Sequence, residues 1–233
     1  MILAHKLKYK HHRMKTTKAY KIILADDHIL LRDALANLID GFEEFTVVAK
    51  SADGSEVIEI IEQGKKADIV LMDLNMPKMD GYETAQWLME KHPDIRILIL
   101  TMYDSEIALI RLLQLGVRGF LKKDIHPFEL KAAILSVADN GYYYAHNTTG
   151  KLAGFFQKNH NSKTSMERAM LTQLDIDFLK MAATDMTYKE IAQILKISPR
   201  TIDGYRDSLF EKLDVKSRVG LAIYAVKNGI VTF

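Results

Sequence analysis

The 233-residue chain is 48% hydrophobic, has no cysteine and carries a formal net charge of +2, a balance that supports ordinary globular cores and excludes disulfides and thiolate metal sites. No apolar stretch approaches the roughly 20 residues that span a bilayer, and Met1-Ile2-Leu3-Ala4 is too short for a secretory signal. The expectation is therefore a protein of the reducing cytoplasm with no membrane partner. The charge is segregated: residues 1–19 carry six basic side chains and no acid, 20–140 carry 13 against 21, 141–170 four against one, and 171–233 nine against eight. An acidic segment repels phosphodiesters unless a cation intervenes, so residues 20–140 suit a divalent metal better than nucleic acid.

Residues 1–19, with Lys6, Lys8, Lys10, Arg13, Lys15 and Lys18, have no sustained apolar periodicity and read as a disordered basic extension. From Tyr20 apolar runs alternate with amphipathic stretches. Lys21 to Ala25 reads as a buried strand ending at Asp26-Asp27, and Leu31, Ala34, Leu35 and Leu38 repeat behind it at helical spacing. Phe45 to Ala49 is a second strand and Ser55 to Gln63 a second helix. Ile69 to Asp73 is the third strand, after which Met79-Asp80-Gly81 opens a helix that must stop before Pro93. Ile95 to Leu100 is a fourth, ending at Thr101, and Ser105 is placed to cap the next helix, which runs through Leu113. Phe120-Leu121-Lys122 is a short fifth strand, and Pro127 suits the first turn of a helix running to about Asp139. Five strands alternating with five helices predict an α/β, doubly wound parallel sheet over 20–140.

Residues 141–170 break this rhythm with Gly141, Asn147, Gly150, Asn159, Asn161 and Ser162, and read as a linker with a helical piece near Leu152 to Phe156. Residues 171–233 lose the strand signal and predict a small all-α domain. Within it Thr187 to Leu195 is a short amphipathic helix, Lys196-Ile197 a turn, and Ser198-Pro199 an N-cap with proline at the first helical position. A second helix then runs from about Arg200 to Leu213. Two short helices on a tight turn make a helix-turn-helix, whose second helix can enter a major groove, although helical hairpins also occur in proteins that never meet DNA. The last helix, Arg218 to Asn228, has more apolar positions than one docking face requires, which leaves part of it for a dimer surface or for burial in its own domain.

Four strand ends carry polar groups: Asp26-Asp27, Asp73, Thr101 and Lys122-Lys123. A right-handed parallel sheet brings all of them to one edge, where such sheets bind ligands. Three carboxylates can hold a hard cation such as Mg2+ with its waters. With a lysine neutralising phosphoryl oxygens, one carboxylate can attack phosphorus and become an aspartyl phosphate. A single strand-end acid can also be a helix cap, as Asp27 could be for the first helix, but capping does not call for Asp, Asp, Thr and Lys in this order.

These residues, in ILADDH, IVLMDLNMP-x-MDG, ILILT and GFLKKD, resemble the receiver domain of two-component response regulators over Tyr20 to Asn140. The resemblance implies a flavodoxin-like five-stranded sheet of order 2-1-3-4-5. It also implies Asp73 as phospho-acceptor, with Asp27 a direct Mg2+ ligand, Asp26 its partner through water and Asn75 a ligand through its backbone carbonyl. Thr101 is then the switch hydroxyl, Phe120 the switch aromatic and Lys123, rather than Lys122, the phosphoryl contact. Two positions depart from the family's habit: Met102 stands where a small residue is common, which predicts narrowed access to Asp73, and Phe120 stands where Tyr is common.

Leu171 to Phe233 resembles the LuxR/NarL-type effector domain in YKEIAQILKIS, TIDGYRDSLFEKL and VKSR-x-x-L. That implies four helices, with Thr201, Asp203, Gly204 and Asp207 at groove-facing positions and Lys189, Arg200, Arg206, Lys216, Ser217 and Arg218 as phosphate contacts. Asp203 and Asp207 are unusual there: a carboxylate can accept from a cytosine amino group but is repelled by phosphates. The combined expectation is a DNA-binding regulator, no enzyme beyond self-phosphorylation and autodephosphorylation. Its phosphodonor would be a sensor histidine kinase, and phosphorylation would make it a homodimer on double-stranded DNA. Two rivals are an orphan regulator indifferent to phosphorylation and a Mg2+-dependent aspartyl-phosphate phosphohydrolase.

Overall fold

The computed structural model describes residues 19–102, 106–144 and 171–231. Strands and helices alternate as β1 (Tyr20–Ala25), α1 (Ile29–Asp40), β2 (Phe45–Ser51), α2 (Gly54–Glu62), β3 (Ile69–Asp73), α3 (Gly81–Lys91), β4 (Arg96–Thr101), α4 (Glu106–Gln114), β5 (Gly119–Lys122), α5 (Pro127–Asn140) and β6 (Tyr143–Tyr144). All the pairings are parallel, in the order β2-β1-β3-β4-β5-β6. The central strands are apolar at nearly every position because both faces are covered. Ile23, Val70, Met72, Ile97, Ile99 and Phe120 pack under α2, α3 and α4. The alternate residues Ile22, Leu24, Leu71, Leu98, Leu100 and Leu121 pack under α1 and α5. Both helical layers thus hold the strands in register, and the carboxyl ends of β1, β3, β4 and β5 come out on one edge.

The sixth strand corrects the expectation of five, and it lies in the segment expected to be linker. Two residues are too few to show an alternating pattern, and β6 is recruited by its neighbour. Gly119 has no side chain where a Cβ would stand 2.5 Å from the Tyr143 carbonyl oxygen. The Tyr143 amide donates to the Arg118 carbonyl at 2.9 Å, and the Tyr144 ring lies 5.5 Å from that of Phe120. The basic extension except Ala19, the Ser105 cap and the helical piece near Leu152 to Phe156 fall outside the described residues.

The carboxy-terminal residues form four helices, α6 (Gln173–Ala182), α7 (Tyr188–Ile194), α8 (Pro199–Leu213) and α9 (Arg218–Lys227). Ile176, Phe178, Leu179, Ile191, Ile202, Leu209, Leu221 and Ala225 make their core. Each start has a side-chain cap: Thr172 and Thr187 sit in capping boxes, and Ser198 and Ser217 accept from Thr201 and Gly220 amides. Pro199 occupies the first turn of α8 as its sequence predicts. Between the described residues of the two halves, Lys180 Nζ pairs with Asp80 Oδ2 at 2.9 Å.

Candidate functional site

The site is built on the last residue of β3. Asp73 is buried, and its Oδ1 accepts from the Leu74 amide at 2.7 Å. Behind it the chain turns through Asn75 to Asp80, and the Gly81 amide returns to the Leu74 carbonyl at 2.8 Å. α3 then starts so close to β3 that a Cβ on Gly81 would stand 2.6 Å from the Asp73 carbonyl oxygen. Only glycine allows this approach without moving the strand end.

Lys123, just past β5, reaches across the edge. Its Nζ lies 2.8 Å from Asp73 Oδ2 and 2.8 Å from Asp26 Oδ2. Lys122, by contrast, is exposed at the end of β5, so the sheet sends the two lysines to different surroundings. Burial pushes the Asp73 carboxyl above the usual carboxylate range, aided by the charge of Asp26 and opposed by Lys123. Burial alone would pull the Lys123 ammonium down, but its hydrogen bonds and charge pairing with Asp26 and Asp73 outweigh that and hold it above the ordinary lysine value. The lysine is therefore a fixed cation, a positive charge already in place beside the Asp73 carboxylate.

Asp27 is partly exposed beside this pair, and the loop between β1 and α1 is clamped from below by Arg32. That guanidinium donates to the Asp26 carbonyl at 2.7 Å and the Ser51 carbonyl at 3.2 Å. Asp27 does not cap α1; the N-cap residue is His28, which makes no side-chain capping bond. The His28 ring turns instead to the acids, with Nδ1 2.8 Å from Asp27 Oδ1 and 3.2 Å from Asp26 Oδ1. Asp26, Asp27, His28 and Asp73 each present a donor atom within 4.8 Å of the others. Three carboxylates and no thiolate form a donor set that fits a hard divalent cation. The sequence contained His28 within ILADDH, but only the backbone turn reveals that its Nδ1 lies against the acids.

Thr101, at the end of β4, and Phe120, in β5, are both buried. Phe120 points into the α2–α4 layer and is covered by Tyr144. Met102 is 71% exposed, so its side chain stands in solvent and does not fill the pocket; narrowed access to Asp73 is not what the structure displays.

In the helical domain Thr201, Asp203, Gly204 and Asp207 are all exposed on α8. Gly204 has open space around its Cα, so nothing in the domain's own packing requires glycine there. Arg206 pairs with Asp203 at 3.0 Å and Asp207 at 2.8 Å, so its charge is taken up on the helix surface and the set of three keeps one net negative charge. Arg218 donates to the carbonyls of Ala182 at 3.0 Å and Thr184 at 2.8 Å, closing the carboxyl end of α6, and Ser217 caps α9. Lys189, Arg200 and Lys216 are exposed.

Residues 22–135 match the family model of the response regulator receiver domain, and residues 169–225 match that of bacterial regulatory proteins of the luxR family. The chain is 31% identical over 217 residues to the oxygen regulatory protein NreC of Staphylococcus haemolyticus, covering 91% of this chain and all of that one. It is 28% identical over 224 residues to the transcriptional regulatory protein DegU of Brevibacillus brevis, covering 91% of this chain and 94% of the relative. Among solved structures, RcsB from Salmonella enterica serovar Typhimurium bound to promoter P1flhDC shares the fold, with a TM-score of 0.66 at 23% identity over 90% of this chain and 99% of that one.

Proposed function

The chain belongs to the response regulators that join a receiver domain to a LuxR-type domain, and we propose that phosphorylation of Asp73 is the switch by which it regulates transcription. The observation that carries this reading is the buried Asp73–Lys123–Asp26 arrangement, at 2.8 Å on each side, in a chain that also carries a capped helix-turn-helix.

The phosphodonor is a sensor histidine kinase. A carboxylate oxygen of Asp73 forms the new O–P bond, the P–N bond of the donor phosphohistidine breaks, and the imidazole leaves with the electron pair and takes up a proton. Lys123 holds its positive charge on the transferring oxygens. Asp27, Asp73 and the Asn75 carbonyl would hold Mg2+, with Asp26 acting through water. Bound there, the ion would neutralise phosphoryl charge. The group after Asp73 is the buried Leu74, followed by Asn75, so a phosphohydrolase's general acid has no counterpart at that place. The chemistry accordingly stops at self-phosphorylation and slow loss of phosphate.

Thr101 then turns towards the phosphoryl group, and Phe120 moves within the α2–α4 layer, shifting the population towards a DNA-competent dimer. Double-stranded DNA is held by α8, with Thr201 and Gly204 nearest the groove and Lys189, Arg200 and Lys216 on phosphates. Asp203, Asp207 and Arg206 act as a preformed set that must open before any of them reads a base. Val219 and Ile223, one turn apart and exposed on α9, are the surface on which two helical domains pair.

The test is DNA binding and oligomeric state at fixed salt, for wild type and Asp73→Asn, with and without Mg2+ and a phosphodonor. Wild type gains dimer and DNA affinity on phosphorylation and the variant gains neither. Equal DNA binding by both proteins under every condition would mean an orphan regulator instead.

A further inference from the structure

The exposed face of α8 carries acids where a helix entering a major groove would run between phosphates. Asp203 and Asp207 lie one turn apart with 61% and 63% of their side chains exposed, and Gly204 has open space around its Cα, so a groove floor can approach the backbone there. Arg206 reaches both acids from the flank of the helix, where its guanidinium also lies 5.2 Å from the Tyr188 ring centroid and 6.0 Å from that of Phe210. Its bonds all end on Oδ1 atoms, at 3.0 Å for Asp203 and at 2.9 and 2.8 Å for Asp207, and Oδ2 of each carboxylate takes no part in the pairing. Opening this set turns two carboxylates to the groove, and carboxylates only accept hydrogen bonds. Guanine and thymine present acceptors there, and adenine presents an acceptor beside its amino group. Cytosine alone presents a donor with no acceptor.

We propose that Asp203 and Asp207 make α8 select cytosine at two positions in each half-site, and that Arg206 gates the selection by leaving them for a phosphate only where cytosine takes its place. The proposal rests on the reading of α8 as the helix that enters the groove. One turn of helix sets the two acids about 6 Å apart along its axis, close to the roughly 6.8 Å of two base steps. At any other sequence the carboxylates would face acceptors, so the set stays closed. A wrong site is thus refused by an unpaired charge and not merely by a missing contact. The competing possibility is that the two acids read nothing and only repel phosphates.

The two separate in selection by the full chain, with and without Mg2+ and acetyl phosphate, from double-stranded DNA carrying a randomised segment. Wild type, Asp203→Asn, Asp207→Asn and Arg206→Ala are compared, and affinities for the selected duplexes follow from fluorescence anisotropy over a salt series. Wild type should enrich sites with both cytosines, and replacing either one should weaken binding at least about fivefold. Asp203→Asn and Asp207→Asn should each move the preference at one of the two positions from cytosine to adenine, since a carboxamide pairs with adenine N6 and N7. Arg206→Ala should keep both cytosines, bind every duplex more weakly and flatten the slope of log affinity against log salt by about 1. Selected sites without the two cytosines, or Asp203→Asn and Asp207→Asn gaining affinity alike on every duplex, overturn the proposal. Enrichment of no sequence by wild type at any salt would instead overturn the placing of α8 in the groove.

Discussion

At the scale of single residues, the site depends on one missing side chain as much as on its acids. Gly81 touches the backbone of Asp73 and Leu74, and backbone cannot step aside as a flexible side chain can. Gly81→Ala should displace the end of β3 and cost about 1–3 kcal/mol by overpacking. A displacement of about 1 Å at a reacting group can cost about 100-fold in rate. Phosphorylation of the variant from a small phosphodonor, followed on a phosphate-retarding gel, should therefore slow by at least tenfold while Asp73 and Lys123 are both still present. The sequence announced this glycine only as part of a helix start. It could not announce that the turn folds back onto the acid, because that contact exists only once α3 lies on β3. The acids, Thr101 and Lys123 were legible for the opposite reason: a strand end needs no tertiary contact to be placed on its edge. Arg206 and Arg218 were legible as charges but not as partners, since their pairing follows from helix geometry and from the neighbouring α6.

At the scale of elements, the helical domain is fastened by a buried carboxylate. Asp175, in the first turn of α6, accepts from Lys212 Nζ at 2.6 Å and from the Tyr205 hydroxyl, both on α8, while also accepting the Thr172 amide at 2.7 Å. Burial would raise its pKa, but the hydrogen bonds from Lys212, Tyr205 and Thr172 outweigh burial and hold it below the usual carboxylate range. A folded-state pKa below the unfolded value means the stabilisation is complete above about pH 4 and is lost as pH falls through the folded value. Asp175→Asn should cost about 2–4 kcal/mol at neutral pH, and its deficit against wild type should shrink below about pH 4. Hydrogen exchange of α6 and α8 peptides measures this directly, because the single tryptophan, Trp87, lies on α3 and reports on the other domain. Helices and strands of the sequence reading fell close to their observed places because capping residues and prolines mark ends locally. The Asp175 network was invisible, since a lone acid near a helix start reads only as a cap.

At the scale of the molecule, the halves meet where the loop after Asp73 turns into α3. Lys180 of α6 pairs with Asp80, the N-cap of α3, beside a cavity of about 300 Å³ lined by Asn75, Met76, Ile230 and Val231 among others. Asn75 is two residues from Asp73, so the acid and this seam share one loop. Lys180→Glu sets two carboxylates against each other and should separate the halves. Small-angle scattering should record a larger radius of gyration, and DNA binding without phosphodonor should rise several-fold. An unchanged radius would leave the ion pair without a part in holding the halves together. No periodicity in the sequence could have supplied this contact, which joins residues 100 positions apart across the linker.

Strand β6 carries a consequence in time. Two residues of pairing are weak enough to open often, and local opening sets how fast a backbone hydrogen is lost to heavy water. The Tyr143 amide, bonded to the Arg118 carbonyl, should exchange far sooner than the amides of β3 and β4. Because Tyr144 rests on Phe120, a repositioning of that ring should loosen β6. Phosphorylation should therefore accelerate exchange at Tyr143 before any other strand responds, so that this amide keeps the clock of the switch.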